Sequence, residues 1–240
     1  MLDTFAGIGG FSYAATKLVG GYRTTQFIEI DPFCQKILNK HFPTVPIHDD
    51  IRTFTAIPGQ YDVICGGFPC QSISVAGNRA GITEESRSGI FYELMRVIRM
   101  VRPRFVVLEN VAAILTNGLD IVLGELSQAG YDAEWSVISA SSLGACHRRS
   151  RWWCVATLTT PHSKRLQRED FSQMEREIWA KGTTRCLNPN WRSYVSKPIL
   201  RRGDDGLSYR VDRTKALGIS VVPQVAAIPL KRVHDLYYNE

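Results

Sequence analysis

Two short stretches hold the residues best suited to chemistry, Gly67-Phe68-Pro69-Cys70-Gln71 and Glu109-Asn110-Val111. An apolar run over 61–65 predicts a buried strand, the pair Gly66-Gly67 lets the chain turn without a Cβ clash, and Pro69 stiffens the backbone just before Cys70. A thiol is thereby presented at the carboxyl end of a strand, the edge where open α/β sheets bind ligands, which makes Cys70 a candidate nucleophile. Taken alone, a cysteine after a strand is more often a small core hydrophobe. A second apolar run, 105–108, delivers Glu109 to the same edge. A carboxylate there is kept for chemistry or for capping, since burying it unpaired is costly. The third group is His147-Arg148-Arg149-Ser150-Arg151, ahead of a predicted strand over 152–156. Alternate arginines on one extended face form either a forked clamp for an anion or carbonyl, or an ordinary charged strand edge.

The elements that must position these groups alternate strand and helix. Asp3-Thr4-Phe5-Ala6-Gly7-Ile8-Gly9-Gly10 is a short strand and a glycine-rich turn, followed by a helical pattern over 13–19. Such a turn brings backbone N–H groups close to a ligand at a helix N-terminus. The next predicted strand, 25–30, carries Glu29 roughly 20 residues beyond the glycines, the spacing of a carboxylate that accepts from ribose hydroxyls. Pro32 fits the first turn of a helix running to residue 39. Asp50 follows a third short strand near 45–47 and either meets an adenine amino group or caps the turn after it. Helices are predicted over 89–101 and 114–128, and a strand over 133–138. Between them, residues 74–88 are small and polar, include Arg79 and Arg87, and suit a mobile lid over the nucleophile. A turn over 216–222 opens a final apolar helix.

Composition bounds the function further. The chain has 240 residues, 44% hydrophobic and 22% charged, enough for one α/β domain with a small second lobe. Its six cysteines form no C-x-x-C pair, so neither disulfides nor structural zinc is expected. No leader-like start and no apolar run of membrane-spanning length is evident, so a soluble cytoplasmic protein is expected. The net charge is +6, and residues 159–215 alone contain thirteen Lys/Arg against seven Asp/Glu, so the whole excess lies in that segment. Trp179, Trp191, Tyr194 and Tyr209 are interleaved with those cations, a mixture that suits nucleic-acid contact or an ordinary small lobe.

Taken together and in order, these motifs resemble the DNA (cytosine-5)-methyltransferases of bacteria and phages. The resemblance rests on Phe-Ala-Gly-Ile-Gly-Gly at 5–10, Glu29 and Asp50 after strands, Gly-Phe-Pro-Cys-Gln at 67–71, Glu-Asn-Val at 109–111, Arg-x-Arg at 149–151 and Ala-Leu-Gly-Ile-Ser-Val-Val-Pro-Gln-Val-Ala at 216–226. It implies a mostly parallel sheet with helices on both faces, the Rossmann-like fold of S-adenosylmethionine-dependent methyltransferases, over 1–158 and 213–240. A small irregular target-recognition lobe would occupy 159–212. The implied cofactor is S-adenosylmethionine, held by Phe5, Gly7, Gly9, Gly10, Glu29, Asp50, Ile51, Pro69, Gly218 and Ser220, with no metal. The implied catalytic residues are Cys70, Glu109, Arg149 and Arg151, acting on a cytosine flipped out of double-stranded DNA. A monomeric bacterial or phage enzyme, with any cognate restriction endonuclease acting separately, completes the expectation. The chain departs from the pattern at Ile219, where the family usually has Asn, at His147, where Gln is common, in its short recognition region, and in starting almost inside the first strand. A degenerate relative that binds DNA or cofactor without turnover is the alternative these departures raise. A nucleotide-dependent oxidoreductase would explain only the glycine turn and Glu29.

Overall fold

The computed structural model describes residues 1–69, 89–145, 147–159 and 216–238. Among them, seven strands form one sheet: β1 (Leu2–Thr4), β2 (Gln26–Ile28), β3 (Ile47–His48), β4 (Val63–Gly67), β5 (Phe105–Val111), β6 (Tyr131–Ser139) and β7 (Ser150–Leu158). Their order across the sheet is β3-β2-β1-β4-β5-β7-β6. The first five run parallel, while β7 inserts antiparallel between β5 and β6.

Strand alternation sorts the core into two layers. On one face Leu2, Ile64, Val106, Leu108, Trp152 and Cys154 pack under Phe91, Leu94 and Ile98 of α3 (Gly89–Val101) and Val122 and Leu126 of α4 (Leu119–Gln128). On the other, Val63, Cys65, Phe105, Val107, Trp153 and Val155 pack under Phe11 of α1 (Gly10–Tyr13), the π-helical turn Ala14–Val19 that continues it, and α5 (Pro223–Tyr238). Strands buried on both sides read as unbroken apolar runs, which is why β4 and β5 were legible as such. The stretch 216–238 is long and apolar enough to cross a membrane by length and composition, but half of it is buried, with Val225, Ile228 and Val233 in the second core layer. Those are the contacts of a core helix.

Local chemistry sets several boundaries. α2 (Pro32–His41) begins where Asp31 accepts from the Phe33 and Cys34 amides and Pro32 supplies its fixed φ. The single helix predicted over 114–128 is instead a 3₁₀ turn, Ala112–Leu115, and then α4, because Gly118 (φ 121°) breaks the run between them. The predicted strand over 152–156 is longer at both ends, since β7 pairs along its whole length with β6.

The glycine pair in β4 corrects a more consequential expectation. Gly66 and Gly67 do not turn the chain; both lie in the strand, opposite Leu108 and Glu109. Their lack of a Cβ matters for a different reason. A Cβ on Gly66 would lie 2.2 Å from Thr4 Oγ1, and one on Gly67 would lie 2.7 Å from Glu109 Oε2.

Candidate active site

Topology reverses at β1, whose neighbours are β2 on one side and β4 on the other, and in open α/β sheets the crevice outside the carboxyl ends at such a point is where nucleotides bind. The chain leaves β1 through Phe5 (φ 52°), Gly7 (φ 56°) and Gly9 (φ 86°), a run of left-handed conformations that turns backbone amides inward. Glu29, buried at the end of β2, accepts from Gly7 N at 2.6 Å and from Asp31 N at 2.8 Å. Burial raises its pKa against the pull of those two amides. Each oxygen retains acceptor capacity toward the crevice.

Asp3, fully buried in β1, anchors the turn from beneath. Its Oδ2 accepts from Ser12 Oγ at 2.6 Å and Ser12 N at 3.2 Å, and Thr24 Oγ1 donates to Ser12 Oγ at 2.9 Å. Burial pushes its pKa up to about 7. Over the turn lies the C-terminal segment. A Cβ on Gly10 would come within 2.6 Å of Val221 Cγ2 and 3.4 Å of Ser220 Oγ, so that glycine is what lets the two stretches meet.

The residues expected to be catalytic, so far as they are described, lie on β5 and at β7, beside β4. Glu109 lies beside Gly67 in the register and its carboxylate pairs with Arg151 Nε at 3.0 Å. Its pKa is raised to about 7 because burial outweighs the opposing pull of Arg151 and then Arg149. Near neutral pH such a group is divided between carboxylate and acid, the condition for donating a proton. Asn110 Nδ2 donates to Phe68 O at 3.2 Å, tying the exit of β4 to β5 two residues before Cys70. Phe68 is itself pinned by its ring contact with Phe91, centroids 5.0 Å apart.

The predicted residues are not all placed as expected. Phe5, Gly7, Gly9, Gly10 and Glu29 gather at the crevice, and Pro69 lies exposed at the end of β4. Asp50 caps the next turn by accepting from Arg52 N at 2.9 Å and pairs with the Arg52 guanidinium at 2.6 Å, which lowers its pKa. Ile51 points into the core beneath α3. Arg149 and Arg151 do not share one extended face. Arg151 is in β7, whereas Arg149 precedes the strand with φ 27° and its Nη2 donates to Gly218 O at 3.0 Å and Ser220 O at 2.7 Å. Cys70, the predicted lid over 74–88 with Arg79 and Arg87, and all but the first residue of the predicted recognition region 159–212 lie outside the described residues. Sequence reasoning missed Asp3 and the role of Asn110. The signal available for both was a polar residue set within an apolar strand.

Sheet order, glycine turn and acidic strand ends together define a Rossmann-like, S-adenosylmethionine-dependent methyltransferase fold. The profile of the C-5 cytosine-specific DNA methylase family matches residues 1–202, and the chain belongs to that family. It is 37% identical over 158 residues to the type II methyltransferase M.CviJI of Paramecium bursaria Chlorella virus IL3A, covering 65% of this chain and 42% of that one. It is 32% identical over 221 residues to M.MspI of Moraxella sp, covering 88% and 51%. The chain thus spans about half the length of the curated relatives it matches. Among solved structures, the Dnmt2 methyltransferase of S. pombe superposes with a TM-score of 0.58 at 22% identity, over 72% of this chain and 53% of that one. A protein encoded within an E. coli prophage superposes with a TM-score of 0.62 at 18% identity, over 100% and 99%. These two likenesses establish the fold.

Proposed function

We propose that this chain methylates C5 of cytosine in double-stranded DNA, with Cys70 as nucleophile and Glu109 as acid. The observation that carries the reading is a buried carboxyl with a pKa near 7, paired with Arg151, beside the strand that runs directly into Pro69-Cys70. The crevice suits the cofactor: a Cβ on Gly7 would meet nothing within 4 Å, and Glu29 stands beside it with a carboxylate for ribose hydroxyls. Phe5, Gly7, Gly9, Gly10 and Glu29 would hold S-adenosylmethionine, with Ser220 and Gly218 closing from the C-terminal segment. When bound, the cofactor supplies an electrophilic methyl group.

Cytosine C5 is a poor nucleophile, so the protein must lend it electrons. The Cys70 thiolate adds to C6, forming an S–C6 bond, and the displaced electron pair makes C5 nucleophilic. Glu109 in its acid form donates to N3 and limits the charge that develops on the ring. Arg151 steadies Glu109 and reaches the base carbonyl. After C5 is methylated, loss of the C5 proton to water returns the electron pair, and the S–C6 bond breaks to release the thiolate. None of these atoms is accessible within a duplex, so the base must be flipped out. Residues 159–212 would read the target, and the basic excess there suits the phosphate backbone. The enzyme is proposed to act in the cytoplasm as a monomer, any cognate endonuclease acting on its own.

The test is covalent capture. DNA carrying 5-fluorocytosine should trap the protein in a denaturant-resistant complex when S-adenosylmethionine is present, because fluorine at C5 blocks the final elimination. Cys70→Ala should abolish the trap. Bisulfite sequencing of DNA from expressing cells would identify the target. Cofactor binding without trapping on a DNA library would refute turnover and favour the degenerate reading, for which Ile219, 56% exposed beside Gly218, supplies the motive.

A further inference from the structure

Arg149 is unusual in three respects that its place near Glu109 does not explain. Its backbone is held at φ 27°, a conformation side-chain-bearing residues rarely adopt. A single guanidinium nitrogen bridges two carbonyls, Gly218 O and Ser220 O, 69 and 71 residues away in sequence. Gly218 O belongs to the helical turn 216–219, which the Ser220 amide closes by donating to Ala216 O at 3.0 Å, and Ser220 O lies just beyond it, so a cation there also meets the negative end of a helical turn. The segment held in this way rests with its next residue, Val221, directly on Gly10 of the glycine-rich turn. Arg149 thus stands between the two halves of the site: on one side the strand that carries Arg151 and contacts Glu109, on the other the strap over the cofactor crevice.

We propose that Arg149 is a positioning residue, a clasp that holds residues 218–221 over the glycine-rich turn and so sets the affinity for the cofactor from the catalytic side of the site. The inference rests on the reading of the crevice as a cofactor site, and it assigns Arg149 to the strap in preference to DNA phosphate or the base carbonyl. The opening of such a strap costs two charge-assisted hydrogen bonds, and its loss should appear first as faster exchange of the local amides.

The experiment uses the full chain and two substitutions. Arg149→Met keeps an unbranched stem about as long as the apolar part of the side chain and removes its donors; Arg149→Lys restores a cation able to reach a carbonyl. Hydrogen exchange by mass spectrometry should show peptides covering 217–222 exchanging at least tenfold faster in Arg149→Met, with β1, β4 and β5 unchanged. Titration with S-adenosylhomocysteine should give a Kd raised at least tenfold, most of it regained in Arg149→Lys. DNA affinity at saturating S-adenosylhomocysteine should change by less than twofold. Unchanged exchange at 217–222, together with an unchanged Kd and weakened DNA binding, would overturn the clasp and return Arg149 to the DNA. Should Arg149→Met fail to fold, Arg149→Lys decides, because a clasp predicts an intermediate exchange rate there and a phosphate contact predicts none. If the wild-type chain binds no S-adenosylhomocysteine, the proposed function fails, while the exchange comparison still tests the clasp.

Discussion

The placement of Glu109 can be tested through its neighbour, because Gly67 is the residue that makes room for it. A Cβ on Gly67 would lie 2.7 Å from Glu109 Oε2, and ordinary contact begins at 3.4 Å, so Gly67→Ala must displace the carboxyl by about 0.7 Å. The obstructing atom is the end of a side chain, and the next nearest, Glu109 Cδ and Cβ, are already at 3.8 and 3.9 Å. Backbone rearrangement is therefore unnecessary, and the cost falls in the lower part of the usual overpacking range, about 1–2 kcal/mol. In a Glu109→Ala background the obstruction is gone. There the same substitution should be neutral or should stabilise by up to about 1 kcal/mol, since alanine loses less backbone entropy than glycine on folding. Urea unfolding of the four proteins in this double-mutant cycle measures the difference directly, with a coupling energy of about 1–3 kcal/mol expected. Methyl transfer gives an independent reading. Gly67→Ala should lose on the order of 10²-fold in rate, a general acid's contribution, because a carboxyl moved from its place also loosens the 3.0 Å contact with Arg151 Nε. Strict additivity of the two substitutions in stability would refute the claim that this glycine exists to pass the carboxyl.

Three further outcomes follow from the same geometry. Asp3, with its folded pKa near 7 and an ordinary value of 3.8, binds a proton more tightly folded than unfolded, so its contribution is full below about pH 4 and is lost as pH rises through about 7. That contribution is at most about 4 kcal/mol, and urea midpoints measured from pH 4 to 8 should fall less steeply in Asp3→Asn than in the wild type. Arg232 of α5 and Glu134 of β6 pair at 2.7 Å with both side chains buried, so Arg232→Ala should cost about 3–5 kcal/mol by removing one partner of a buried ion pair, as read by chemical denaturation. Gly124 sits inside α4 with open space where a Cβ would be, so Gly124→Ala should stabilise by about 0.5–1 kcal/mol and leave methylation unchanged.

The parts of the fold that follow local rules were legible from the residues alone. The amphipathic pattern over 89–101 matches α3 end for end, and Pro32 marks the start of α2, because a helical stripe and a first-turn proline are written within a few residues. The motifs at 5–10 and 109–111 likewise announced which strand ends carry polar groups. What stayed hidden was partnership across the chain. Glycines 66 and 67 look like a turn to any local reading, and only the strands on either side reveal that they make space for Thr4 and Glu109. Asp50 after a third strand suits either an adenine contact or a cap, and only the structure shows that it caps the next turn by accepting from Arg52 N.

Arg149 shows the same limit and what it implies about how the site is assembled. The alternation Arg149-Ser150-Arg151 is what two side chains on one strand face look like, and the rule is sound wherever the strand includes both. Here β7 begins at Ser150, and the left-handed backbone at Arg149 turns its side chain toward a segment some seventy residues further along. The two arginines therefore turn to different partners, Arg151 to the Glu109 carboxylate and Arg149 to the carbonyls of Gly218 and Ser220. Through Arg149 the 216–222 segment is tied to the start of β7 while Val221 rests on Gly10, so contacts between residues some two hundred positions apart join the C-terminal segment to the glycine-rich turn.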